Sequence, residues 1–282
     1  YIMVLGARSI EDKGCALVYH STDLSHWHYV TRIQTSEKFG FMWECPDLFK
    51  LGNQLILSVS LQGLEKEEAR YQNVFQSGYF LVDENHGDYT VRKFEEFDYG
   101  FDFYAVQTFE DESGRQILMA WMGLPMESEY QEDPTVKYNW RHALTMPREL
   151  VFQNGAVYQR PLKEFEKLRK NEFQSQISEF TQWQTENCCF EINVTFSNPA
   201  ESFSLRLRDD VILTFDGSLL SLKMGESRFG RTQRNIALDK VSRLQFFSDT
   251  SSIEIFINGG RYTMTSRVFS VALKQIITFD SK

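Results

Sequence analysis

The sequence predicts an all-β protein, and three observations carry that reading. Apolar residues recur at a period of two: in QLILSVSL (54–61), Leu55, Leu57, Val59 and Leu61 alternate with Ile56, Ser58 and Ser60. CFEINVTFS (189–197) and SIEIFIN (252–258) repeat the pattern, as strands with two distinct faces do. Asp216-Gly217 and Asn258-Gly259 sit between such runs, and dipeptides of this kind form hairpin tips because they tolerate positive φ.

Taken in order, YIMVLGAR (1–8) reads as strand interior. It has no initiator Met and no leader, which points to a chain that begins inside a larger protein. CALVYH follows, then STDLSHW (21–27), a turn of the kind that closes a propeller blade. RPLKEFEKLRK (160–170) breaks the strand pattern. Pro161 suits a first helical position, and Leu162, Phe165 and Leu168 recur at helical spacing, so a short amphipathic helix is expected there. Residues 172–282 return to evenly spaced strands, as in a β-sandwich. The expected organisation is repeated small antiparallel sheets over 1–158, a linker helix over 159–171, and a sandwich over 172–282.

The chain of 282 residues carries a net charge of −9 and 24 Phe. That is ample material for a large core. The acidic balance disfavours nucleic acid and anionic membranes as partners. Cys15, Cys45, Cys188 and Cys189 show neither a disulfide framework nor zinc spacing, which favours a reducing, cytoplasmic setting. No apolar run approaches the length of a membrane span. The five histidines lack metal-ligand spacing, and no phosphate loop or nucleophilic-serine elbow occurs.

FMWECPDLFK (41–50) holds the most unusual acid. Glu44 between Trp43 and Cys45 has two readings. One is a structural carboxylate that caps a turn or pairs with arginine. The other is a general acid, desolvated by Trp43 and presented by a turn that Pro46 stiffens, and so able to hold a proton near neutral pH. Asp47 falls on the opposite strand face by alternation and is expected to bond its own turn. In GFDFYAVQTF (100–109), Asp102 and Tyr104 share one face, either as the polar side of an edge strand or as a sugar-binding rim. Trp121 in ILMAWMG reads as core or as a sugar platform, and Arg148 and Glu149 in TMPREL as structural pairs.

WECPDLF, DFYAVQTF, ILMAWMG, LTMPREL with YQRP after it, and SSIEIFINGG with TSRVF occur in that order along the chain. Together they resemble glycoside hydrolase family 32, the invertase and sucrose-6-phosphate hydrolase group. The resemblance implies a five-bladed β-propeller followed by a β-sandwich. It also implies a metal-free, cofactor-free retaining hydrolase of β-fructofuranosides such as sucrose or sucrose 6-phosphate. By motif, Glu44 takes the acid/base role with Cys45 placed to tune it. Tyr104 and Trp121 line the sugar pocket, and Asp102 is a further substrate-binding candidate.

The family also carries a nucleophilic Asp in a Trp-Met-Asn-Asp-Pro-Asn-Gly segment and a second Asp in an Arg-Asp-Pro segment. Neither occurs in this sequence, and Asp133-Pro134 follows a glutamate in a different context. The expectation is therefore a partial propeller and a polypeptide that alone does not hydrolyse sucrose. A non-catalytic sucrose- or fructan-binding protein is the alternative, and a remnant with a structural role is a third reading. Open sheet edges in an incomplete propeller favour association, and the sandwich offers a surface for a homo-oligomer. Arg70 and Arg141 are the basic residues that could meet a substrate phosphate, each with a plain surface role as the alternative.

Overall fold

The computed structural model describes residues 1–124, 133–208, 211–225, 232–270, 272 and 274–281. YIMVLGAR and GCALVYH form a hairpin of β1 (Ile2–Arg8) and β2 (Gly14–His20), and β3 (His28–Ile33) completes a three-stranded antiparallel sheet. The turn in STDLSHW is tied by Asp23, whose carboxyl accepts from the backbone of Ser25 and His26 and from His26 Nδ1. Those bonds to His26 and Ser25 hold Asp23 well below the usual carboxylate range.

A second sheet runs in the order β4 (Met42–Leu51), β5 (Gln54–Gln62), β6 (Phe75–Asn85) and β7 (Asp88–Glu96). The third contains β8 (Tyr104–Glu110), β9 (Gln116–Met122), β10 (Ala143–Leu144), β11 (Arg148–Gln153) and β12 (Ala156–Pro161). In it, β9 pairs with β8 on one side and with β10 and β11 on the other. The alternation in β5 does not separate core from solvent. Leu57, Val59 and Leu61 join Trp43 and Phe80 in one cluster, while Ile56 joins Tyr79 and Val106 in another. Ser58 and Ser60 are buried too, and Ser60 Oγ lies 2.8 Å from Ser77 Oγ. A central strand sandwiched between neighbouring sheets has two inner faces.

The segment after β12 differs from its expectation. Lys163–Leu168 is a 3-10 helix with no buried residue, and Leu168 is 71% exposed. Its extended flanks, Leu162 and Arg169, leave room for only six residues of helix, too few to repeat an apolar face. Arg169 instead fastens the segment to the next domain by two bonds to Glu191, of 2.7 and 2.8 Å.

Two sheets then face one another. One is ordered β13 (Gln182–Gln184), β22 (Ile276–Ser281), β15 (Phe203–Arg208), β16 (Val211–Phe215), β17 (Leu219–Lys223), β18 (Gln233–Ala237). The other is β14 (Phe190–Ala200), β19 (Val241–Asp249), β20 (Ser252–Ile257), β21 (Tyr262–Arg267). Leu205, Leu213 and Leu222 from the first meet Phe246, Ile255 and Met264 from the second in one core. The expected tips turn as predicted: Gly217 joins β16 to β17 at φ 101°, and Asn258 and Gly259 join β20 to β21 at φ 52° and 71°. Among the described residues no helix is long and apolar enough to cross a membrane.

The two halves are joined by buried polar bonds. Residues 97–102 run along β21, the edge of the four-stranded sheet, with Tyr99 N donating to Thr263 O and Asp102 N to Thr265 O. Asp98 accepts from Thr263 Oγ1 (2.7 Å), Thr265 Oγ1 (2.6 Å) and Thr265 N (2.8 Å). Beside it lies Arg148, fully buried, which donates to Glu254 (2.6 Å), Gln159 (2.8 Å) and Thr265 (2.6 Å) and sits between the rings of Phe103 and Phe256. Burial pushes the Glu254 carboxyl up, and the Arg148 guanidinium opposes that rise. Arg148 is thus the structural pair expected of it, and its partner lies in the IEIF strand of the sandwich. Gly260 is required nearby, because a Cβ there would stand 1.7 Å from Gln159 O.

The β5–β6 loop makes a second junction. The Gln72 side chain exchanges two bonds with the Asn235 backbone, of 2.7 and 2.8 Å, and so pairs with the edge strand β18. Tyr71 in this loop has φ 51° and donates its N–H to Glu96 (3.0 Å). Burial raises the Glu96 carboxyl from 4.5 to about 7, against the Tyr71 N–H and Arg70.

Two measurements follow. Arg148→Met leaves buried carboxylates without their cation and is expected to lower unfolding free energy by about 3–5 kcal/mol, read from denaturant titration. Arg148→Met with Glu254→Gln is expected to cost less than the sum of the single changes. For Glu96, the folded-state value lies above the unfolded one. Its contribution is therefore complete below pH 4.5 and lost as pH rises to about 7, a change of roughly 3 kcal/mol. Glu96→Gln is expected to remove that part of the pH dependence.

Candidate active site

Two adjoining strands, β4 and β8, carry the same irregularity. In β4 the register steps from Glu44↔Ser60 to Asp47↔Ser58, so three steps on one strand face two on the other. In β8 it steps from Tyr104↔Trp121 to Gln107↔Met119. Each is a β-bulge, and each places a non-glycine residue in the left-handed region directly after the side chain of interest: Cys45 at φ 47° and Ala105 at φ 51°. Such residues are strained, and bulges re-aim side chains.

Here the re-aimed side chains meet. Tyr104 Oη donates to Glu44 Oε2 at 2.8 Å, across the gap between the second and third sheets. The Gln62 side chain, at the end of β5, lies near the Tyr104 hydroxyl and tempers its rise. Burial, and then the bond to Glu44, push the Tyr104 phenol well above its ordinary value, so it remains a donor.

The bulge also revises Asp47. Plain alternation sets it opposite Glu44, but the inserted residue returns it to the same side of β4. It accepts from Thr108 N (3.0 Å) and Thr108 Oγ1 (2.6 Å), and Gln116 Nε2 donates to the same hydroxyl (2.6 Å). Asp47 therefore fastens β4 to β8 rather than its own turn. Burial raises its carboxyl and the Thr108 bonds oppose that rise.

Trp43 does not desolvate Glu44. It points to the other side of β4, where it is fully buried, stacks on Phe80 at 5.0 Å and donates to Phe39 O. Gly14 makes this possible, since a Cβ there would stand 2.2 Å from the indole. The aromatic beside Glu44 is Tyr104. Cys45 lies exposed in the bulge, and desolvation by its surroundings, followed by the Glu44 charge, pushes its thiol up.

Trp121 pairs with Tyr104 across β8 and β9 and is half-buried, with its ring 4.9 Å from His142. Glu44, Tyr104 and Trp121 are thus brought together. Asp102 is not. It precedes β8, is fully buried, and accepts from Arg267 N at 2.7 Å in the junction with the sandwich. The face it shares with Tyr104 in an ideal strand does not exist, because residues 101–103 are outside the sheet. Of the two basic candidates, Arg70 is committed to Glu96 and to Phe94 O. Arg141 lies in the loop before β10. Sequence does not single out Gln62 or His142, since neither lies in a distinctive pattern; Gln62 reaches the site at the end of β5, and His142 through its contact with Trp121 just before β10.

Comparison with known proteins decides the family. The profile of the glycosyl hydrolases family 32 N-terminal domain matches residues 1–161, and that of the glycosyl hydrolases family 32 C terminal matches residues 162–282. This chain belongs to glycosyl hydrolase family 32. A family 32 relative, the sucrose-6-phosphate hydrolase of Staphylococcus xylosus, is 38% identical over 96% of this chain and 58% of its own length. The sucrose-6-phosphate hydrolase of Bacillus subtilis (strain 168) is 36% identical over 95% of this chain and 59% of its length. Among solved family 32 structures, sucrose-6-phosphate hydrolase from Lactobacillus gasseri superposes with a TM-score of 0.83 at 27% identity, covering 100% of this chain and 61% of that one. A Bombyx mori GH32 beta-fructofuranosidase mutant in complex with sucrose gives a TM-score of 0.79 at 25% identity, covering 99% and 62%. The chain thus spans less than two thirds of the length of these family 32 members.

The bulges make a specific demand on side-chain size. Ala105→Gly is expected to be neutral or to stabilise by up to about 1 kcal/mol, because glycine accepts positive φ freely. Ala105→Val is expected to destabilise by more than that and to weaken the Tyr104–Glu44 bond. Thermal unfolding of both variants checks the pair.

Proposed function

We propose that this chain carries the acid/base part of a retaining β-fructofuranosidase site that acts on sucrose or sucrose 6-phosphate. The observation that carries the reading is the 2.8 Å bond from Tyr104 Oη to Glu44 Oε2 at two matched bulges. Glu44 is the proton donor. With Oε2 held by the phenol, Oε1 is the oxygen that delivers the proton to the leaving sugar oxygen, and the same carboxylate then takes a proton from the water that releases fructose. Tyr104 and Trp121 form the adjoining sugar wall.

We assign residues 1–158 to later blades of a five-bladed propeller, 159–171 to a linker and 172–282 to the sandwich. Three successive antiparallel sheets, with equivalent bulges on β4 and β8, support the blade reading.

A retaining hydrolase needs two carboxyl groups about 5 Å apart across the scissile bond. The family nucleophile lies in an Asp-Pro-Asn-Gly run, and these 282 residues contain none. Without that carboxylate the double displacement does not run, so the 282-residue polypeptide alone is inactive. Fructose release from sucrose and from sucrose 6-phosphate tests this, and measurable turnover by the purified polypeptide rules it out. Placed in the Staphylococcus xylosus relative in exchange for the equivalent stretch, the chain is expected to support turnover. Glu44→Gln is then expected to lower kcat about 10²–10⁴-fold with little change in KM. Near-normal kcat in that variant means the acid lies elsewhere.

A further inference from the structure

Along the chain His20 and His28 are eight positions apart, without the helical spacing of a metal motif. The pairing of β2 with β3 sets them directly opposite each other. Ile2 of β1 stands next in the same row. Directly opposed residues share a face, with their Cβ atoms about 4.5–5.5 Å apart. One register position away, Tyr19 and Tyr29 show the same pairing on the other face, where their rings meet edge-on at 5.7 Å. An open cleft of about 340 Å³ is lined by both histidines, with Ile2, Ser21 and Thr22.

The segment that links the two histidines is fixed by its own bonds. Ser21, buried directly after His20, accepts at Oγ from Asp23 N (3.2 Å) and Leu24 N (2.8 Å). Asp23 accepts in turn from Ser25 N and His26 N, and Trp27 Nε1 donates to Leu24 O at 3.0 Å. Ser21 N donates to Tyr1 O, which ties the turn to the start of β1. The ends of β2 and β3 are thus held in place beside the cleft. His20 and His28 are both exposed there, and among the described residues neither ring makes a hydrogen bond or an ion pair. His26, in the turn between them, has its Nδ1 committed to Asp23 at 2.8 Å.

A neutral imidazole is a ligand for zinc, nickel and copper ions. Zinc–nitrogen bonds are about 2.0–2.1 Å long, so two rings on Cβ atoms this close can turn onto one ion. We infer that His20 and His28 form a two-imidazole site for a divalent transition-metal ion, with zinc as its representative, and that the ion clips β2 to β3. Among the described residues no three His, Cys, Asp or Glu side chains gather for a metal, so water completes the coordination. The site uses none of the residues of the candidate active site, and it is independent of the β-fructofuranosidase reading. Its two ligands come from different strands, so the ion binds the folded sheet better than the unfolded chain and stabilises the fold in proportion.

Zinc titration of the 282-residue chain tests this. Calorimetry is expected to show zinc bound at this pair. His20→Asn and His28→Asn are each expected to weaken that binding about tenfold or more, since even a change behind a metal ligand costs about 10–100-fold. His26→Asn, His86→Asn and Cys189→Ser alter the other exposed groups of ligand type nearby or elsewhere on the surface, and they are expected to bind as the unsubstituted chain does. Zinc is also expected to raise the melting temperature of the unsubstituted chain and of these three controls, and to leave that of His20→Asn and His28→Asn unchanged. Normal zinc binding by either His20→Asn or His28→Asn overturns the inference. So does a comparable loss in one of the controls, or a melting temperature of the unsubstituted chain that zinc does not raise. Circular dichroism of each variant shows that it is folded.

Discussion

The buried guanidinium of Arg148 is the constraint on which the rest of the structure depends. It satisfies Glu254 on β20, approaches Asp98 after β7, and bonds Gln159 on β12 and Thr265 on β21. A charge removed from water this completely is tolerable only when every donor finds an acceptor. That requirement sets the angle at which the third sheet meets the sandwich. The strand that bears Arg148, β11, pairs with β9, and β9 pairs with β8. The position of Tyr104, and through it the hold on Glu44, is therefore referred back to a charge cluster that touches neither residue.

Much of this was legible in the sequence. Alternation located the strands, and the Asp-Gly and Asn-Gly tips located two hairpins, because both signals are local. What escaped was set by partners distant along the chain. Glu44 drew attention as an acid among aromatics, yet the aromatic that contacts it is Tyr104, sixty positions on, not the adjacent Trp43. Alternation sets Asp47 on the wrong face because a bulge changes strand parity without changing composition. Alternation places Asp102 in a strand, but the strand starts two residues later and the carboxyl is claimed by the sandwich. At Lys163–Leu168 the helical spacing is real, but only Phe165 finds a neighbour, the ring of Phe247 on β19, while Leu168 stays exposed, and the run is a short 3-10 turn.

The two strained positions, Cys45 and Ala105, explain how a regular β framework presents an irregular site. Each supplies one extra residue where the strand would otherwise carry its side chain past the neighbouring sheet. Asp47 and Thr108 then close the strands together just beyond the bulges. Strain on one side and a half-buried, hydrogen-bonded carboxylate on the other define the separation of Glu44 and Tyr104 more tightly than strand pairing alone, which β4 and β8 do not share.

The junction at Asp98 and Arg148 also has a kinetic meaning. Asp98 meets Thr265 across 167 positions, and Arg148 meets Glu254 across 106, whereas each hairpin closes a short local loop. During synthesis at about 5–20 residues per second, Arg148 waits roughly 5–20 s for its partner to be made. Through that interval the nascent sheets must hold together with their future anchor points still hydrated. Domain docking is then the late event of folding, and the buried charge cluster acts as its register mark rather than as its nucleus.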